Sequence, residues 1–338
     1  MSMQNKKDTA FNWSKVKRGM IATLIIGVAV MAGLGIYADY NELGESINQF
    51  NFAYLPIILL LAPLNYCFRY VKWNYYLKHL GIKVPKKINR TTFVAGLSMT
   101  ITPAKVGEFF KSYLLKELAG IKMAETMPVV LMERLTDGIS MIILASIGAI
   151  TFSYGYAAII ACVALVGLFI VAVRVKPVAM FLIRTLARVK FLQKFSKGFE
   201  SFYNQTYELT HPVCLFVGVG IGIVSWFFEG LVIYLALRAF GVEFSILASV
   251  FTVSVSSLIG ALSMLPGGLF AAEGSIMGIL VLLFSVNGGL ASATTIVTRF
   301  STLWLGVAIG IVGMIFAQRM LKLKDDKKLE SKGASHDS

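Results

Sequence analysis

The stretch TTFVAGLSMTITP, Thr91 to Pro103, decides how this chain is read. It is apolar enough for a membrane interior, yet its roughly 13 residues make only about 20 Å of helix against a hydrocarbon core of about 30 Å. Proline closes it, and proline both lacks the N–H that a helix needs and crowds the turn before it. The chain therefore enters the apolar phase, breaks and returns, which predicts a re-entrant hairpin over residues 91–117. A second broken region, 246–286, has longer arms around Pro266 and reads as a hairpin that either re-enters or crosses fully.

Outward from these hairpins lie unbroken apolar runs of spanning length at about 19–38, 52–68, 127–153, 155–173, 212–238 and 290–317. Of the 338 residues, 57% are hydrophobic and 15% charged, where a soluble domain carries about 25% charge. The expected fold class is an all-α integral membrane protein with about six full transmembrane helices and two Pro-broken hairpins. The run from Gly19 to Ala38 follows Lys6, Lys7, Lys15, Lys17 and Arg18, but it is longer than a signal-peptide core and no A-x-A site follows. It reads as an uncleaved first helix.

The net charge of +14 is spread between apolar runs rather than gathered on one soluble face, so nucleic acid is not an expected partner. Lys and Arg number five in residues 1–18, seven in 69–90, seven in 174–211 and six in 318–338. Lys105, Lys111, Lys116 and Lys122 follow the first hairpin, while Asp39, Glu42, Glu45 and Glu243 mark the opposite loops. The positive-inside rule then predicts a multi-pass protein of the cytoplasmic membrane with both termini cytoplasmic. In the segment 174–211, Arg184, Arg188, Lys190, Lys194 and Lys197 alternate with Phe181, Leu186, Phe191 and Phe195, the pattern of a helix lying along anionic headgroups. Cys67, Cys162, Cys214, His79, His211 and His336 are scattered, so no metal and no cofactor is expected.

The chain also resembles itself. His79-Leu-Gly81-Ile-Lys-Val84 parallels Ala239-Phe-Gly241-Val-Glu-Phe244, and each is followed by a proline (Pro103, Pro266), a glutamate (Glu108, Glu273) and an arginine (Arg134, Arg299). The glutamate-to-arginine spacing is 26 residues in both halves, at an offset of about 160–165. With the predicted sidedness the two halves run in opposite senses, which is the inverted-repeat plan that builds a midplane site reachable from either side. The chain then divides into 1–51 (N-terminal cytoplasmic segment, first helix and outer loop), 52–153 (first repeat), 154–211 (linking helix and basic amphipathic segment), 212–317 (second, inverted repeat) and 318–338 (charged cytoplasmic tail).

Charges left inside apolar runs cost a few kcal/mol each and need a reason. They are Glu108, Glu133, Arg134, Asp137, Glu229, Glu273 and Arg299. Arginine's planar fork suits a lipid phosphate, and the glutamates can carry a proton, bind a cationic headgroup or counter the arginines. A set of structural ion pairs is the alternative. Arg299 has no carboxylate close by in sequence, so Glu273 or Glu229 must reach it through space. The hairpin tips, Pro103 to Gly107 and Pro266-Gly267-Gly268, bring glycine where backbone must come close to a ligand or turn tightly. The glycines Gly218, Gly220 and Gly222, and likewise Gly306 and Gly310, read as helix-packing faces.

Pro103-Ala-Lys-Val-Gly107-Glu108, Glu133-Arg134-Leu-Thr-Asp137, Pro266-Gly-Gly268, Glu273-Gly274 and Arg299 together resemble the lysylphosphatidylglycerol synthase/flippase transmembrane-region family, from about residue 15 to 320. Lys105 stands where that family often has arginine, and Phe270 where a glycine is expected. The resemblance implies a membrane region that moves lipids between leaflets, with Glu108, Arg134, Glu273 and Arg299 at its site. Synthase members add a soluble domain that transfers an aminoacyl group from tRNA to lipid, and this chain ends about 20 residues after its last predicted helix. The implied partners are membrane lipids with an anionic or lipid-linked headgroup. The alternative is the membrane half of a lipid-modifying system whose catalysis comes from a separate soluble transferase. A scaffold is a third reading, and no nucleophile or acid–base pair marks an enzyme.

Overall fold

The computed structural model describes residues 49–102, 107–152 and 196–333, with positions 25, 33, 160, 164, 167, 168, 171, 174 and 175. Apart from those single positions, the expected spans at 19–38 and 155–173 lie outside them, as do the amphipathic stretch around 181–195, Pro103 and Lys105. Every regular element among the described residues is helical.

Asn51 begins the described core: its side chain accepts from Ala53 N at 3.0 Å, and its own N–H reaches Ala239 O at 2.8 Å. Helix α1, Leu55–His79, follows with a proline in its first turn. It runs through Arg69 and Lys72, which the charge pattern had placed in a cytoplasmic loop. Lys72 is wholly buried and bonded to Asp137, and neutralisation by that carboxylate lets the helix continue through apolar surroundings. Lys111 likewise does not mark a surface loop, because it is buried against Glu133.

Helix α2, Lys86–Leu97, is extended by a 3-10 turn, Ser98–Ile101, and the chain returns as α3, Phe110–Ala119. At 1.5 Å per residue these arms are about 18 and 15 Å long, short of a bilayer core. Helix α4, Met123–Phe152, then carries Glu133, Arg134 and Asp137 in its first half. After α5, Ser196–Leu209, helix α6 spans Pro212–Ala239 with proline again in its first turn. The ends of α1 and α6 are built alike. Gly81 (φ +69) and Gly241 (φ +76) take the left-handed conformation, and Ile82 N and Val242 N each reach back 2.9 Å to Leu77 O and Leu237 O.

The second broken region consists of α7, Ile246–Leu262, a turn at Pro266–Gly268, and α8, Ala271–Leu282. These arms are about 25 and 18 Å long, so α7 is marginal and α8 too short to cross. Helix α9, Gly288–Arg299, passes through a π-helical turn, Phe300–Trp304, into α10, Leu305–Gly333. Among the described residues, three helical stretches are long and apolar enough to cross a bilayer: Phe52–His79, Pro212–Ala239 and Gly288–Lys324.

Small residues and reciprocal polar contacts join these helices, as expected where lipid offers no hydrophobic drive for association. Asn65 Nδ2 donates to Ser225 O at 3.0 Å, tying α1 to α6. Gly218 and Gly222 leave room for Tyr76 and Ser140, whereas Gly220 faces open space. Gly310 and Gly313 bring α10 against the backbone of α2 and its 3-10 turn at Ala95–Ser98, where a Cβ on either glycine would overlap main-chain atoms.

Candidate functional site

Helices α1, α4, α6 and α9 and the tip of the second hairpin enclose a cavity of about 80 Å³. Its charged lining residues are Arg69, Arg134, Arg299 and Glu229. Gly267, Gly268 and Thr302 also line it, as do Asn65, Tyr66 and Trp226. The space holds a few waters or a phosphate-sized group, far below the roughly 300–1,000 Å³ of a usual ligand pocket.

Each arginine is held from behind. Arg134 Nε lies 3.0 Å from Glu108 Oε2 and its Nη2 lies 2.9 Å from Asp137 Oδ2. Asp137 is shared, since Lys72 binds its other oxygen and Arg69 Nη2 stands 3.9 Å away. Arg299 donates from Nε to Glu273 Oε1 at 2.6 Å and from Nη2 to Gly267 O at 2.7 Å. The second pair thus fastens the hairpin tip to α9. Glu229 accepts from Asn65 Nδ2 at 3.1 Å. The side chains are 23% exposed for Arg134 and 12% for Arg299, with Nε and Nη2 of Arg134 buried against their carboxylates, whereas Glu273 is fully buried.

The tip owes its shape to backbone torsion. Gly267 and Gly268 have φ of +61° and +67°, and a Cβ on Gly268 would lie 3.1 Å from Gly260 Cα. Phe270 also has positive φ, +67°, and is 61% exposed. A non-glycine residue there stores strain of order 1–3 kcal/mol.

Residues 24–310 match the family described as the lysylphosphatidylglycerol synthase TM region. The chain belongs to that family. UPF0104 membrane proteins of Methanothermobacter thermautotrophicus are similar at 32% identity over 120 residues, 36% of either chain, and at 22% identity over 329 residues, 86% of this chain and 93% of the relative. A UPF0104 membrane protein of Methanocaldococcus jannaschii is 21% identical over 329 residues, 91% of this chain and 96% of its own. Family membership and the apolar helices together make this a multi-pass integral membrane protein.

Of the residues singled out from sequence, the fold brings Arg134, Arg299, Glu229, Gly267 and Gly268 to the cavity, with Glu108, Glu273 and Asp137 behind the arginines. Glu133 and Gly107 do not line it. Glu133 binds Lys111, whose ammonium stands 4.4 Å over the Trp73 ring, and Gly107 N donates to Thr102 Oγ1 at 2.8 Å. Sequence reasoning missed Asn65, Tyr66, Arg69 and Lys72. The spacing of Asn65, Arg69 and Lys72 at i, i+4 and i+7 would have placed them on one helix face. Tyr66 carries no such signal; its hydroxyl donates to Thr302 O in the π-helical turn, joining α1 to the rod that bears Arg299. Among the described residues no group of His, Cys, Asp or Glu could hold a metal ion.

Proposed function

We propose that this protein moves a phosphate-bearing lipid between leaflets through the cavity between two inverted helical units. One observation carries this reading: three arginines from α1, α4 and α9 converge on a cavity whose lining includes a single carboxylate, Glu229. Glu108, Asp137 and Glu273 balance much of their charge from behind, and what the guanidinium groups offer a phosphate is paired N–H donors. The matched pairs Glu108–Arg134 and Glu273–Arg299 support the internal repeat, and the like-built turns at Gly81 and Gly241 support it further.

The cavity of about 80 Å³ is a closed arrangement, too small for a whole headgroup and its glycerol. A phosphate entering it competes with Glu108 and Glu273 for the arginine forks. Because Arg299 also holds the Gly267 carbonyl, that competition loosens the second hairpin. Binding at the centre thereby opens the path on which the lipid leaves, and both termini face the cytoplasm in this scheme.

The test is reconstitution of the full chain in proteoliposomes with leaflet-specific quenching of a fluorescent phospholipid. Wild type accelerates movement, and R134Q and R299Q each cut the rate by about 10-fold or more. Unchanged movement in both variants sinks the reading. The family's description as part of a synthase favours a second reading, in which a separate transferase modifies lipid held here. Movement by the purified chain alone separates the two.

A further inference from the structure

The central cavity leaves unused a set of basic residues where α1 ends and α2 begins. There the link from Leu80 to Pro85 leaves a groove of about 750 Å³ lined by Lys78, Lys83, Lys86 and Arg90. All four are exposed, no carboxylate lines the groove, and none of the four forms an ion pair among the described residues. Its floor is fixed by hydrogen bonds. Trp73 Nε1 donates to Asn89 Oδ1 at 2.8 Å, and Asn89 Nδ2 donates to Asn74 Oδ1 at 3.0 Å. Ile82, Val84 and Pro85 add an apolar wall beside the charges.

The fold does not require this charge. At the like-built turn of the other half, Arg238 stands at the position of Lys78 and is bound by Glu243, which stands at the position of Lys83. Ile246 and Val250 stand at the positions of Lys86 and Arg90. The same backbone turn therefore closes without a basic cluster, and charge on this turn alone is what the positive-inside rule places beside an anionic cytoplasmic leaflet.

We propose that this groove docks the headgroup of an anionic phospholipid from the adjoining leaflet, at a site separate from the central cavity. The four cations meet the phosphodiester and any second anionic charge, and the apolar wall meets the glycerol and first acyl carbons. Each Lys or Arg close to an anionic lipid surface strengthens association about fivefold. The site exists on one side only, so it loads anionic lipid from one leaflet and leaves the opposite mouth without an equivalent. It does not depend on lipid movement by the central cavity.

The experiment counts retained lipid by native mass spectrometry on the full chain, offered phosphatidylglycerol or phosphatidylcholine. Wild type retains phosphatidylglycerol over phosphatidylcholine. K83Q/K86Q/R90Q retains it at least about tenfold less, and K83R/K86R, which keeps the charge, retains it as wild type does. Equal retention of the two lipids by wild type, or unchanged retention by the triple variant, overturns the proposal. Displacement by inorganic phosphate as effective as by phosphatidylglycerol, at matched ionic strength, overturns the lipid assignment in favour of a free-anion site. Because the readout is binding, loss of lipid movement in R134Q is scored separately from loss of the groove.

Discussion

Glu273 and Arg299 stand 26 residues apart in the chain and meet at 2.6 Å through Oε1 and Nε. The contact neutralises a guanidinium in apolar surroundings. Through the second nitrogen it also holds the Gly267 carbonyl, so one side chain is both a cavity wall and a fastener of the hairpin tip. Most consequences of the structure follow from that double duty.

Under the proposed lipid-moving role, replacing either cavity arginine removes a charge-assisted bond to phosphate worth about 1.5–3 kcal/mol. R134Q and R299Q therefore slow lipid movement by about 10- to 150-fold in proteoliposomes. R299K keeps the charge but not the fork and falls between wild type and R299Q.

Removing the glutamate instead leaves a buried cation. E273A costs roughly 3–5 kcal/mol of stability because Arg299 loses its counter-charge, read as a fall in the detergent melting temperature. E273Q/R299M loses less than the sum of its single changes, since neither charge remains. Additive losses would mean that the pair is not coupled.

Phe270 is held at φ +67° and is largely exposed. F270G relieves strain of order 1 kcal/mol and raises the melting temperature. A fall would mean that the ring contributes packing outweighing the strain.

Gly310 and Gly313 let α10 touch the backbone of the first hairpin, and backbone cannot step aside as a side-chain tip can. G310A overpacks this contact and costs about 1–3 kcal/mol. G274A, at a position with open space around it, changes stability little and serves as the control.

The proposed inversion makes a prediction about sidedness. In a background without native cysteines, K83C and E243C sit at corresponding turns of the two halves, and a membrane-impermeant maleimide labels them from opposite faces. Labelling from the same face removes the inverted arrangement.

Much of this was legible in the sequence because membranes make charge conspicuous. Pro103 and Pro266 marked the broken regions, and the equal Glu-to-Arg spacing marked the residues of interest, but the sequence left Glu273 and Glu229 as alternatives for Arg299 and the structure supplies Glu273. The same conspicuousness misled at Arg69, Lys72 and Lys111. A lysine next to loop residues reads as an orientation signal, and only the third dimension supplies Asp137 and Glu133 as its partners. Asn65 and Tyr66 were hidden for a different reason. Their partners are a side chain and a main-chain carbonyl more than 150 residues away, which no local pattern records.

The π-helical turn at Phe300–Trp304 has a mechanical meaning. Below it the rod grips the second hairpin through Arg299; above it the rod lies on the first hairpin through Gly310 and Gly313. A straight, stiff rod would make both doors swing together and leave the membrane leaky on each stroke. In the proposed transport cycle, a joint placed between the two grips lets one end twist while the other stays seated, as in an airlock with a single spindle.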